Sequence, residues 1–355
     1  MQSIHLKLVP GDGIGIDVIR EAKRIVKRIE DIHGGIRFII DEYDWGCEYY
    51  LRNNEMMPKD GLDILSDCDA ILLGAIGFPG VPDHISLRGL LLPIRQGFDQ
   101  YINFRPIKLL DGFDSPLKVS DRDDIDFVVI RENSEGEYCG TGRFVKENTP
   151  DEAAVQEAWF SRKGVHRVLT YAFEYAVANQ LTNLVSATKS NALNYSMVFW
   201  DKIFNEIKPG YETIRATSMH VDALSGLFIT NPKQLDVVVA SNLFGDILTD
   251  LGSAMLGSIG ISPSANINPE KRYPSMFEPV HGSAPDIAGK GIANPIGTIW
   301  SLVLMLEHLE LIEMRDLLMG AMAVVVKERK VRTPDMGGKH KTEDVVQEIL
   351  DKMAG

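Results

Sequence analysis

Three observations predict an α/β fold built on a mainly parallel sheet. Short apolar runs of strand length alternate with amphipathic helical stretches along most of the chain. Several of these runs end in glycine or in a charged residue, as strands do when their carboxyl ends line a cleft. The chain has 355 residues, more than one comfortable core holds, so two domains or one large one are expected.

Composition narrows the class. Apolar content of 45% and charged content of 25% are those of a soluble globular enzyme. A net charge of −13 argues against a nucleic-acid partner, which needs a basic face. Small anionic substrates stay open, because clustered arginines reverse the field inside a cleft. Cys47, Cys68 and Cys139 show neither zinc spacing nor a disulfide framework, which points to a reducing, cytoplasmic setting. The first residues lack a signal-peptide apolar region, and no run reaches the length of a membrane span, so no membrane partner is expected.

In chain order, Ile4 to Val9 alternates and reads as a strand. It enters Pro10-Gly11-Asp12-Gly13-Ile14-Gly15, followed by helical spacing from Ile16 to Ile32. That turn either brings backbone close to a phosphate or nicotinamide, or is a plain tight turn. It is not the dinucleotide fingerprint, since its third glycine comes one residue early. Ile36 to Ile40 is a second strand, and Asp69 to Gly77, with Gly74 and Ala75 near its end, is a third. Ile85 to Tyr101 reads as a helix disrupted near Pro93.

Arg95 lies on that helix, Arg105 beyond it, and Arg131 directly after the strand Phe127 to Ile130. Arginines delivered by strand ends suit bidentate carboxylate recognition, although most arginines merely solvate a surface. A polar segment near 135–155 has few core candidates and is expected to project as an arm. After the helix Gly164 to Gln180, the strand Leu184 to Thr188 ends at Lys189. This lysine is either solvated or a base whose pKa is lowered. Thr213 to Met219 is another strand, with Asp222 just past it.

Leu235 to Ala240 then leads into Ser241-Asn242-Leu243-Phe244-Gly245-Asp246-Ile247-Leu248-Thr249-Asp250-Leu251. Asp246 and Asp250 are four apart, so a helix stacks their carboxylates on one face. They are either two solvated acids or ligands for a hard cation, Mg²⁺ or Mn²⁺. Because Lys189, Asp222 and this pair all follow strands, the metal reading gains weight.

Glu278 to Pro295 is rich in glycine and proline and reads as a long functional loop. Asp286 within it suits a ribose hydroxyl and would repel a 2′-phosphate, favouring NAD over NADP. Gly297 to Leu311 is a strongly apolar helix, core or interface, and Val324 to Val326 continue a helix. A turn at Thr333 to Gly338 precedes the last helix, Glu343 to Met353.

Together these motifs resemble the β-decarboxylating dehydrogenases, the isocitrate/isopropylmalate dehydrogenase-like family, over essentially the whole chain. The stretch Asn242 to Asp250 and the loop Glu278 to Pro295 are the most specific. Asp83-His84-Ile85-Ser86-Leu87 and Phe98-Asp99-Gln100-Tyr101-Ile102-Asn103 look like the tartrate/D-malate branch. The resemblance implies two α/β domains around a central cleft, without a Rossmann fold. The large domain would comprise 1–103 and 257–355, and the small domain 104–256.

It also implies site roles. Arg95, Arg105 and Arg131 would bind substrate carboxylates, with Leu91 and Arg88 near the variable substituent. Tyr138 would be the acid and Lys189 the base, while Asp222, Asp246 and Asp250 would hold Mg²⁺ or Mn²⁺. NAD would meet Ile14, Gly74, Ala75, Glu278, His281, Gly282, Ala284, Asp286, Ile287 and Asn294, and K⁺ is a further candidate ion. Family members are dimers, so Lys189 and Asp222 would reach into the partner's site. The expected activity is NAD- and metal-dependent oxidation and decarboxylation of tartrate or D-malate. Alternatives are 3-isopropylmalate oxidation, favoured by Leu91 and Leu92 as an apolar wall, and a silent ligand-binding homologue. The intact set of Tyr138, Lys189 and three aspartates argues against silence. One departure is Arg88, where that branch tends to carry tryptophan.

Overall fold

The computed structural model describes residues 2–118 and 121–354. Met1 and Gly355, the ends of the expected large domain, lie outside them. Twelve strands are defined there: β1 (Gln2–Gly11), β2 (Ile36–Glu42), β3 (Ala70–Ala75), β4 (Ile102–Lys108), β5 (Asp126–Glu132), β6 (Gly142–Val145), β7 (Ala153–Gln156), β8 (Asn183–Thr188), β9 (Arg215–His220), β10 (Val237–Ala240), β11 (Pro263–Ile267) and β12 (Ser275–Pro279). Ten of them form one sheet in the order β2-β1-β3-β12-β11-β4-β5-β10-β8-β9. One end of this order draws on both ends of the chain, the other on its middle.

Most neighbours run parallel, as expected, but the centre does not: β12–β11, β11–β4 and β4–β5 are antiparallel. The sequence reading did not anticipate β4, β11 or β12 as strands. Their buried positions include Asn103, Arg105, Ser264, Asn266, Ser275 and Glu278, so hydropathy conceals them. The short helices Cys47–Asn53 and Gly61–Ser66, and the longer Ser196–Ile207, were likewise not anticipated.

The expected helix from Ile85 to Tyr101 instead runs from Asp83 to Gly97, with a π-turn at Leu87–Leu91. Pro93 has no N–H to offer the preceding turn, and the backbone widens upstream, where the Leu92 N–H bonds the Leu87 carbonyl. The chain then leaves the helix through Asp99 at φ 44° and enters β4 directly.

The helix Ile296–His308 is buried on every face through Leu306, which makes it core. It packs on β11 and β12 and against the helix Ile312–Glu328. The arm expected near 135–155 is an antiparallel hairpin, β6 with β7, whose side chains are mostly exposed. No helix among the described residues is long and apolar enough to cross a membrane.

Candidate active site

A cleft of about 510 Å³ opens where β3, β12, β4 and β5 meet the helix Asn242–Met255, and Arg95, Arg105, Arg131, Tyr138, Asp246 and Glu278 line it. The local fold explains the convergence. Arg131 sits inside β5 rather than beyond it, and pairs in register with Ala240 at the end of β10. β10 then starts the helix Asn242–Met255, so the guanidinium lies beside that helix's first turn. Its Nε and Nη2 donate to Asn242 Oδ1 at 3.1 and 2.7 Å, and Nη1 donates to Asp246 Oδ1. Gly245 permits this approach, since a Cβ there would fall 2.6 Å from the Cβ and Cγ of Arg131.

Arg105, on β4, donates through Nη1 to Thr249 Oγ1 at 2.5 Å and lies 3.8 Å from Asp246. Arg95 donates through Nη2 to Glu278 Oε1 at 2.7 Å. The three arginines are 4%, 7% and 2% exposed in chain order, which is rare for so many cations in one place. Burial pushes the Arg105 guanidinium down to about 10, and the charges of Arg131 and Arg95 add to the effect. Arg131 is lowered by burial as well, with Asp246 acting against it. Among the described residues only Asp246 and Glu278 pair directly with these three cations, so the arginines outnumber their direct anionic partners. The Nε atoms of Arg95 and Arg105 are buried without a hydrogen-bond partner among the described residues. An anionic ligand supplies acceptors for the orphaned donors and a further partner for the arginines.

Tyr138 donates its hydroxyl to Asp246 Oδ2 at 2.7 Å, and the Arg131 guanidinium lies 5.4 Å from its ring centroid. Burial, then the bond to Asp246, raises the phenol, so it keeps its proton at neutral pH. For Asp246 burial acts upward, but Arg131, Arg105 and the Tyr138 hydroxyl outweigh it and hold the carboxyl below its ordinary value. Asp250, one turn on, is raised by partial desolvation and by the Asp246 charge. A divalent cation would relieve that repulsion, and hard carboxylate oxygens are what Mg²⁺ or Mn²⁺ accepts.

The rest of the expected metal and proton-transfer set is not assembled within one chain. Lys189 donates to Asp222 Oδ1 at 2.6 Å, and neither residue lines the cleft. Among the described residues, no three metal-capable side chains come together. Asp222 is exposed at the start of the helix Val221–Thr230, where the Lys189 contact holds its carboxyl below the ordinary value.

The expected cofactor residues fall into separate groups. Gly74, Ala75, Glu278, His281 and Gly282 line the cleft. His281 is buried with Nε2 unpartnered among the described residues, and a Cβ on Gly282 would stand in open space. Ile14 packs with Val18 and Ala293, against Ala284 and Ile287, and its N–H bonds the Ser283 carbonyl at 2.8 Å. Asp286 is exposed. These features fit an extended nucleotide lying over the loop. Asn294 is already engaged, donating to Asp335 Oδ2 at 2.9 Å and accepting from the Ile296 N–H. The glycine-rich turn is a packing device: a Cβ on Gly15 would fall 2.3 Å from the Pro10 carbonyl and 2.5 Å from the Ala75 nitrogen.

Leu91 lines the cleft, but Leu92 is buried, because adjacent helical residues cannot share one face. Arg88 is exposed and does not line the cleft; its guanidinium lies against Gly140, two residues beyond Tyr138. Sequence reasoning missed Asn242 and Thr249, which hold Arg131 and Arg105. Their signal was present, since both lie within the Asn242 to Asp250 stretch.

Comparison with known proteins adds to this geometry. A family model described as isocitrate/isopropylmalate dehydrogenase matches residues 5–349. A probable tartrate dehydrogenase/decarboxylase of Bacillus subtilis (strain 168) is 48% identical over 354 residues, covering 99% of each chain. The D-malate dehydrogenase [decarboxylating] of Escherichia coli (strain K12) is 46% identical over 356 residues, covering 98% of each. The crystal structure of isocitrate dehydrogenase from Methylococcus capsulatus superposes with a TM-score of 0.90 at 30% identity, covering 100% of both chains.

Proposed function

The chain belongs to the isocitrate/isopropylmalate dehydrogenase family, and from that premise we propose that it oxidises and β-decarboxylates a small 2-hydroxy dicarboxylate, tartrate or D-malate. With D-malate the products are pyruvate, CO₂ and NADH. The observation that carries this reading is the convergence of three buried arginines with the Tyr138–Asp246 pair in one cleft. The names of the Bacillus and Escherichia relatives support the substrate class. The 3-isopropylmalate alternative loses half of its apolar wall with Leu92.

Family dehydrogenases generally use a nicotinamide cofactor and a divalent metal; bound here, NAD would supply the hydride acceptor and Mg²⁺ or Mn²⁺ would supply charge stabilisation for the oxygen being oxidised. The chain's residues do the rest. Arg95, Arg105 and Arg131 bind and orient the two carboxylates. Lys189, contributed by the partner copy, takes the hydroxyl proton. After hydride loss the β-carboxylate leaves as CO₂, and its bonding electrons form an enolate. Tyr138 protonates that enolate at C3. Asp246 and Asp250 would hold the cation together with the partner's Asp222. In this reading the two ends of the sheet order belong to two domains that flank the cleft. A cytoplasmic location is in keeping with three free cysteines.

The test is a panel of D-malate, L-tartrate, meso-tartrate, 3-isopropylmalate and isocitrate, followed by NADH absorbance with Mg²⁺, Mn²⁺ or excess chelator, with K⁺ present or omitted. Turnover of D-malate or tartrate that vanishes on chelation is expected. Activity with 3-isopropylmalate alone, or undiminished by chelation, would overturn the proposal.

A further inference from the structure

A buried amide relay crosses the middle of the sheet and ends on the carboxylate that holds Arg95. Its centre is Asn266 on β11, which is 0% exposed. The Asn266 Oδ1 accepts from Asn103 Nδ2 at 3.0 Å and from Asn133 Nδ2 at 2.9 Å. Its Nδ2 donates to Glu278 Oε1 at 2.7 Å, the same oxygen that accepts from Arg95 Nη2 at 2.7 Å. The polarity of the relay is fixed from outside. Asn133 Nδ2 also donates to the Gln100 carbonyl, and Asn103 Nδ2 lies 3.4 Å from the Ala265 carbonyl. Only nitrogen can face a backbone carbonyl, so Asn266 must turn oxygen toward these two amides and nitrogen toward Glu278.

The relay also ties the other arginines to the same frame. Asn103 stands two residues before Arg105 on β4 and pairs in register with Arg131 on β5, and Asn133 follows Arg131 by two. A fully buried cluster of amides costs desolvation that an apolar cluster would not. Stability alone does not call for it at the sheet centre.

We propose that Asn266 is a positioning residue that sets the orientation of Arg95 through Glu278 and holds it in register with Arg105 and Arg131. This inference rests on the reading of Arg95 as a carboxylate-binding residue. Glu278 by itself can rotate about its side-chain bonds while keeping its ion pair. The Asn266 N–H removes that freedom without adding a second cation, so the guanidinium is presented to substrate in one direction.

The test is a polarity swap. Asn266→Asp keeps size and the acceptor for Asn103 and Asn133, but faces Glu278 with a carboxylate oxygen instead of a donor. The KM for D-malate at saturating NAD should rise about tenfold or more, as loss of a hydrogen bond to a charged group implies. The rate constant kcat should change less, since the contact is made in ground and transition states alike. In the double variant N266D/E278Q, the amide placed on β12 donates to the carboxylate placed on β11 and still accepts from Arg95, so its KM should fall well below that of either single variant. A merely structural role would move Tm without this rescue. If N266D alone does not fold, the double variant, which keeps the wild-type charge, is compared with E278Q. A KM no lower than that of E278Q overturns the proposal, as does wild-type KM in N266D. Arg95→Lys is measured alongside. If it raises KM while N266D does not, the relay is wrong and the carboxylate reading stands. If Arg95→Lys leaves KM unchanged, the carboxylate reading fails and takes the relay with it.

Discussion

Tyr138 and Asp246 show how one contact serves two groups. The phenol is raised by burial and by its bond to Asp246, while that bond and the arginines lower the carboxyl. Proton donor and anion are thereby held apart at neutral pH, as the proposed roles of Tyr138 as acid and Asp246 as cation ligand require. Tyr138→Phe should therefore keep substrate KM within a few-fold while decarboxylating turnover drops roughly 10²–10⁴-fold. Pyruvate formation from D-malate measures it; a variant as fast as wild type would remove Tyr138 from the chemistry. Asp286 is the second residue with a sharp expectation. Its exposed carboxylate would meet a ribose hydroxyl well and a 2′-phosphate badly. NAD should exceed NADP in kcat/KM by at least about tenfold, or ~1.4 kcal/mol. Equal values would show that Asp286 does not face the ribose.

Helix ends and helix starts carry the element-scale consequences. The helix Asn242–Met255 begins against Arg131 only because position 245 has no side chain. Gly245→Ala should cost about 1–3 kcal/mol in urea unfolding, the usual penalty of overpacking, and should raise KM by displacing Arg131. An unchanged midpoint with normal kinetics would mean that the helix can shift freely. At the end of the helix Ile296–His308, the C-terminal dipole favours a charged His308. Burial wins instead, with Lys271 adding to it, and lowers the imidazole from 6.5 to about 4. Between these values the unfolded chain binds a proton that the folded chain does not. The stability is thus complete above about pH 6.5 and lost as pH falls toward 4, by on the order of 2–3 kcal/mol. His308→Asn should flatten the dependence of Tm on pH across this window; an unaltered slope would place the acid sensitivity elsewhere.

On the scale of the whole molecule, the single chain separates the residues assigned to one site. Its cleft holds the arginines, Tyr138 and Asp246, whereas Lys189 and Asp222 pair with each other outside it. In the proposed reading, a homodimer exchanging these residues would complete both sites. Mixing Lys189→Met with Tyr138→Phe protein, each nearly inactive alone, should regenerate one competent site per heterodimer. Activity of the mixture no higher than the sum of its parts, after subunit exchange is verified, would mean that the two residues do not work across an interface.

Much of this was legible in the chain itself. Apolar runs located strands β1, β2, β3, β5, β8, β9 and β10 and several of the long helices, because each buries apolar side chains. The Asp246/Asp250 spacing, the arginines and the loop after Glu278 stood out in the sequence as candidates, but only the fold brings Arg131 to Asp246 and Arg95 to Glu278, 115 and 183 positions apart. Tertiary structure alone decided the antiparallel centre of the sheet. Several buried polar residues there have partners more than a hundred positions away, as Asn103 has in Asn266. No local pattern distinguishes such an asparagine from one in a loop. Only the folded sheet, by excluding water, makes their hydrogen bonds obligatory.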